Sequence, residues 1–160
     1  MNALMSGFVA NEHPVPDNLP APVRTCLQQT CELPSWADRD LIKAGEDVFW
    51  RFGPRMILIL TCYSLPFCYL GRNGVAVLAM TNRLSSNPRR RVLETAQLLV
   101  DCLASGGLTT PGGRGSLTIQ KVRLMHATIR RLAPTSPTWK PEYGLPVNQE
   151  DLAGTLMAFS

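Results

Sequence analysis

Lysine is scarce in this chain. Only Lys43, Lys121 and Lys140 appear among its 16 basic residues, so the net charge of +4 is carried mostly by arginine. That favours bidentate contacts with carboxylate or phosphate over a diffuse basic coat. The five cysteines, at 26, 31, 62, 68 and 102, form no CxxC pair and no finger spacing, which argues against a zinc finger or a redox dithiol. Three of them sit in apolar runs and read as buried thiols of a reducing compartment. The opening MNALMSGFVANEHP lacks a basic region followed by an apolar core, so a cytoplasmic location is expected. The apolar run MILILTCYSLPFCYL (56–70) is shorter than the ~20 residues a membrane span needs, is broken by Pro66, and predicts a buried helix.

Other signatures are missing too. The loop GGRGS has neither the GK[ST] of a phosphate loop nor a strand before it, and reads as a flexible connection. Arg89, Arg90 and Arg91 point in different directions around a helix with no interleaved aromatics, so nucleic-acid binding is not expected. No serine, histidine and acid sit in a nucleophile-elbow context, and His13 lies in a proline-rich stretch as a solvated residue. No internal repeat or alternating strand pattern is visible.

What is present is the composition of a folded domain: 160 residues, 45% hydrophobic and 18% charged, enough for one buried core. The class read from periodicity is all-α, a helical bundle. Residues 1–34 are proline-rich and aperiodic and read as an N-terminal arm, with 35–160 as the domain. Ser35 with Asp38 forms an acidic capping box for a helix carrying Leu41, Ala44, Val48, Phe49 and Phe52, which Gly53-Pro54 is expected to stop. Further helices are expected over 55–70, over 75–84, from an Asn87 cap with Pro88 to about Ala104, through KVRLMHATIRRLA (121–133), and from Asn148 to the end, the last burying Leu152, Thr155, Leu156 and Phe159.

Two of these helices carry polar groups in apolar stripes. At about 100° per residue, Val122, Met125, His126, Ile129 and Leu132 share one side, so an imidazole sits among aliphatics with Arg123 and Arg130 along the stripe's edge. On the preceding helix Arg91 and Thr95 share a line with Leu98 and Cys102, flanked by Val92 and Leu99, while Glu94, Gln97 and Asp101 fall on the solvent-like side. Singly, His126 reads as a satisfied core histidine and Arg91 as half of a buried ion pair. Together they describe an apolar pocket with one soft ligand, anion-binding cations and a hydroxyl. A haem with two propionates needs that set.

The stretches GVAVLAMTNRLSSNPRRRVLETAQLLVD, QKVRLMHATIRR and LPVNQEDLAGTLMAFS, with FGPRMILILTCYSLPFCYL before them, resemble successive segments of the oxygenase family that contains rubber oxygenases and the MpaB oxygenase of mycophenolic acid biosynthesis. The resemblance runs from about Trp36 to Ser160. It implies an all-helical domain around haem b, with His126 as the proximal iron ligand and Arg91 and Thr95 as the catalytic pair on the oxygen side. Arg123, Arg130 and Thr155 are the further candidate cofactor contacts. It also implies O2-dependent cleavage or oxidation of carbon–carbon double bonds in a hydrophobic, isoprenoid substrate. Glu94 stands where rubber oxygenases place a lysine, and Val75 where they place a glutamate proposed as a base, so neither of those functions is expected here. Family members continue beyond the NQEDL motif with more helices. A truncated member is therefore expected, exposing Leu152, Leu156 and Phe159 and self-associating through its last helix. The competing expectation is a non-enzymatic helical module that turns over no haem.

Overall fold

The computed structural model describes residues 19–80 and 88–159, and among these the regular elements are helices, with no strand. They fall into two compact units. Unit 1 comprises residues 1–51 and 98–123, and unit 2 residues 52–97 and 124–160. Helices α1 (Ala21–Gln29), α2 (Arg39–Ile59), α3 (Leu65–Cys68), α4 (Arg72–Met80), α5 (Pro88–Leu103), α6 (Arg114–Leu132) and α7 (Gln149–Met157) follow in chain order.

In unit 1, α1 lies inside the stretch read from sequence as an aperiodic arm. Its prolines are not breakers, because Pro20 occupies the N-cap and Pro22 the first turn, where a missing N–H costs nothing. Leu27 of α1 is buried. Gln120 of α6, also buried, donates its Nε2 to the Leu27 carbonyl at 2.9 Å and to Thr30 Oγ1 at 3.0 Å. The open carbonyl end of α1 is thereby satisfied by a side chain 93 positions away.

Helix α2 is capped by Asp38, not Ser35: one carboxylate oxygen accepts from the backbone N–H groups of Asp40 and Leu41. Nor does Gly53-Pro54 stop it; Pro54 stands inside the helix. The carbonyl that loses its partner is that of Trp50, a residue 56% exposed, so solvent can take the bond. Phe49 is buried against the edge of the Trp50 ring, and the Trp50 indole N–H donates to the Leu103 carbonyl at 2.6 Å. Leu41 and Val48, expected on the inner stripe, are exposed.

The glycine-rich loop is a close-packed turn and not a slack connection. A Cβ on Gly115 would stand 2.7 Å from Cys102 Cα and 2.8 Å from the Asp101 carbonyl, so α5 and α6 approach here at backbone distance. Asp101, expected on the solvent side, is 3% exposed and accepts a hydrogen bond from Thr118 Oγ1 at 2.8 Å. Its side of α5 is covered by the start of α6.

Unit 2 opens with the rest of α2, which widens into a π-helical turn at Leu60–Ser64 before α3. Pro66 supplies the reason: it has no N–H for the residue-62 carbonyl and its ring crowds that turn, and a wider turn accommodates both defects. Leu60, Ser64 and Leu65 are buried, but Leu58, Ile59, Cys62, Tyr63 and Phe67 are exposed, so the segment expected as a buried helix is buried on one face only. Among the described residues no single helix is long and apolar enough to cross a membrane. Helix α4 begins at Arg72, earlier than the sequence pattern suggested, and Arg72 pairs with Glu142 at 3.1 Å. The Asn87 cap and residues 81–84 of the expected third helix lie outside the described residues. Pro146 and Val147 are buried immediately before α7. Asn148 caps that helix as expected, accepting from the Asp151 N–H at 2.8 Å and donating to the Asp151 carboxylate at 2.9 Å.

Candidate functional site

Unit 2 encloses a cavity of about 370 Å³, within the range of small-molecule sites. Leu65, Val77, Leu78, Met125, Ile129 and Leu152 give it an apolar wall, and His126, Arg91, Asp151 and Thr155 bring polar groups into it. Helix α6 delivers His126 because 125, 126 and 129 share a face at helical spacing.

His126 is half-buried, and its pKa is held below the ordinary value of 6.5, first by burial and then by the positive charges of Arg130 and Arg91. A neutral ring at neutral pH keeps a nitrogen lone pair free for a metal or a proton. Arg91 faces the same cavity from α5. Its Nε is buried with no hydrogen-bond partner, and among the described residues its guanidinium forms no ion pair. A half-buried arginine whose inner nitrogen has no partner, set in an apolar wall, suits an anionic occupant.

Thr95, one turn on from Arg91, is buried, does not line the cavity, and donates its hydroxyl to the Arg91 carbonyl at 3.0 Å. Thr155 lines the cavity with its hydroxyl donated to the Asp151 carbonyl at 2.8 Å, leaving oxygen lone pairs as acceptors. Arg123 and Arg130 are exposed and do not line it, although the Arg130 charge reaches the imidazole. Of the residues expected as an apolar wall on α5, Val92, Leu98, Leu99 and Cys102, none lines it, and the last three belong to unit 1. Leu152 on α7 and Phe159 just past its end are half-buried and line the cavity, against the expectation that truncation exposes them, whereas Leu156 is exposed as that expectation has it and Thr155, expected to be buried, is exposed.

The residues of α3 and α4 that line the cavity, and Val147 and Asp151 near the start of α7, were not placed at the site by the sequence reading. Asp151 looked like a first-turn acid complementing the helix dipole, yet it stands four residues before Thr155 and one before Leu152, on the face those residues give to the cavity. Val147 takes φ 52°, a left-handed backbone that a β-branched residue adopts only under strain, and it lines the cavity at the entry to α7. No sequence signal marks it.

Among the described residues no three His, Cys, Asp or Glu side chains converge on a metal-sized site. His126 could therefore hold a metal only if other ligands came with it. A macrocycle with its own nitrogens and anionic arms meets that requirement, and the free imidazole, the unanswered Arg91 and the apolar wall suit such a group.

A family model described as ER-bound oxygenase mpaB/B'/Rubber oxygenase, catalytic domain, matches residues 50–160. The chain is also similar to the rubber oxygenase of Streptomyces sp. (strain K30), with 27% identity over 162 aligned residues covering 97% of this chain and 38% of that protein. The chain thus spans well under half the length of that relative. No solved structure matches it. With the family match covering the whole of α3 to α7, the chain belongs to the mpaB/B' and rubber oxygenase catalytic-domain family.

Proposed function

We propose that the unit 2 cavity holds a haem through His126 and that the chain acts as a haem-dependent oxygenase on carbon–carbon double bonds of a hydrophobic, isoprenoid substrate. The observation that carries this reading is the pairing, in one apolar cavity, of an imidazole whose pKa is lowered with a half-buried arginine whose buried Nε has no hydrogen-bond partner.

When bound, haem supplies the activation of O2 that no side chain here can perform. The protein's own groups do the rest. His126 would hold the iron through a ring nitrogen, and burial together with the Arg130 and Arg91 charges disfavours a competing proton on that ring. Arg91, which faces the cavity, would stabilise negative charge brought or developed there. Thr95 holds the helical turn that aims Arg91, through its hydrogen bond to the Arg91 carbonyl. Arg130 would supply outlying positive charge for the propionates, and Leu65, Met125, Ile129 and Leu152 exclude water and accept the alkene.

The test is aerobic incubation of the haem-loaded chain with squalene and with cis-polyisoprene, trapping carbonyl products with a hydrazine. Carbonyl fragments that form with the parent and fall about a hundredfold or more with Arg91→Ala, at equal haem occupancy, are the expected result. Equal product yield from Arg91→Ala would remove that residue from the chemistry. A haem-free protein giving no product under any loading would favour the non-enzymatic module.

A further inference from the structure

The unit 2 cavity holds an acid that iron and oxygen do not call on. Asp151 lines it from the first turn of α7 and is half-buried. Its Oδ2 accepts from the Asn148 amide at 2.9 Å, while its N–H donates to Asn148 Oδ1 at 2.8 Å, so the cap explains one carboxylate oxygen and fixes the side chain. Among the described residues the other oxygen, Oδ1, has no hydrogen-bond partner, and Arg91, although it lines the same cavity, forms no ion pair with it. One turn further on, Thr155 gives its hydroxyl hydrogen to the Asp151 carbonyl at 2.8 Å and keeps only lone pairs for an occupant. Positions 151, 152 and 155 share a helical face, so both acceptors stand beside the apolar Leu152. Such a wall favours an occupant that donates a hydrogen bond and disfavours one that leaves the carboxylate unanswered.

Charge narrows the donor. An ammonium group would meet the field of Arg130 and Arg91, which already disfavours a proton on His126. A carboxylate or phosphate placed at Asp151 would meet like charge. A neutral hydroxyl satisfies both conditions, and Leu65, Val77, Met125 and Leu152 offer apolar surface to the chain behind it.

We propose that Asp151 is a specificity-determining residue of the cavity and selects an isoprenoid bearing a hydroxyl group over a pure hydrocarbon or an ether. The hydroxyl donates to Asp151 Oδ1 at the α7 wall, and the carbon chain lies against the aliphatic side chains. A site that answers a ligand hydroxyl rejects the analogue lacking it, because its own polar group is then left unpaired. The inference takes the isoprenoid nature of the ligand from the function proposed above, but it concerns binding and not turnover.

Isothermal titration of the chain, loaded with hemin and desalted, with geraniol, geranyl methyl ether and myrcene tests it, because the three share one isoprenoid skeleton and only geraniol donates. The parent should bind geraniol about tenfold or more tightly than either of the others. Asp151→Ala should bind all three alike, with the myrcene affinity of the parent. Because that change also removes a partner of Asn148, Asp151→Asn is the second variant: it keeps an oxygen for the Asn148 amide and turns an N–H toward the ligand. It should keep the myrcene affinity and cut the geraniol preference about threefold or more. Equal binding of geraniol and its methyl ether by the parent overturns the proposal, as does a preference that survives both substitutions, or no binding of any of the three. Haem uptake is read separately by absorbance. A chain that takes up no haem but prefers geraniol refutes the oxygenase and supports this inference, whereas squalene cleavage without an alcohol preference does the reverse.

Discussion

Arg91 and His126 face one cavity from two different helices, and the arginine's charge helps keep the imidazole unprotonated. Neither group is explained by the fold alone. An arginine whose buried Nε has no partner lowers the stability of the empty chain, a histidine that resists its proton lowers it only on acidification, and both are useful to an occupant that brings negative charge and an open coordination position.

The first consequence concerns pH. Because folding lowers the His126 pKa, the unfolded chain binds more protons between the folded pKa and 6.5, and stability must fall as pH drops through that window. Thermal melts of the cofactor-free chain should show a midpoint that declines on acidification below about pH 6.5. His126→Gln should flatten that part of the profile. An unchanged slope in the variant would place the responsible group elsewhere.

Arg91 should behave as a functional residue held at a stability cost. Replacing an unpaired, partly buried guanidinium by an apolar side chain of similar length removes a desolvated charge. Arg91→Met is expected to stabilise the cofactor-free chain by about 1 kcal/mol in urea unfolding while weakening haem uptake. Destabilisation by the same substitution would mean that Arg91 has a structural partner after all.

The contact between α5 and α6 in unit 1 makes a purely structural prediction. A methyl at Gly115 would meet Cys102 Cα at 2.7 Å, backbone that cannot swing aside. Gly115→Ala should cost roughly 1–3 kcal/mol despite the better helix propensity of alanine. Gly154, around which nothing lies within 4 Å, is the matched control, and Gly154→Ala should be neutral or slightly stabilising.

How much of this was readable in the sequence depends on what kind of signal each residue gives. Periodicity located the helices from α2 onward, but not α1, and put His126, Met125 and Ile129 on one face, since a helix fixes angular position whatever surrounds it. The Asn148 cap was equally local. Periodicity cannot say what stands opposite a face, so Asp101 read as solvated although the start of α6 covers it. Proline was over-read twice, at Pro54 and in α1, because its cost depends on whether the carbonyl it deprives can find another partner. The cavity's C-terminal wall was only half visible: Leu152 and Phe159 carry an apolar signal, whereas Asp151 doubles as a capping residue and Val147 departs from every rule for its type.

Haem binding through His126 is tested most directly by one titration. Hemin added to the chain should produce a saturable Soret band that, after reduction with dithionite, shows a ferrous signature of histidine ligation, and His126→Ala should lose that band while far-ultraviolet circular dichroism keeps its helical signal. Added imidazole should restore part of the absorbance by filling the vacated ligand position. An equal Soret band with the same ligand signature in His126→Ala would contradict the central claim, and the cavity would then need a different occupant.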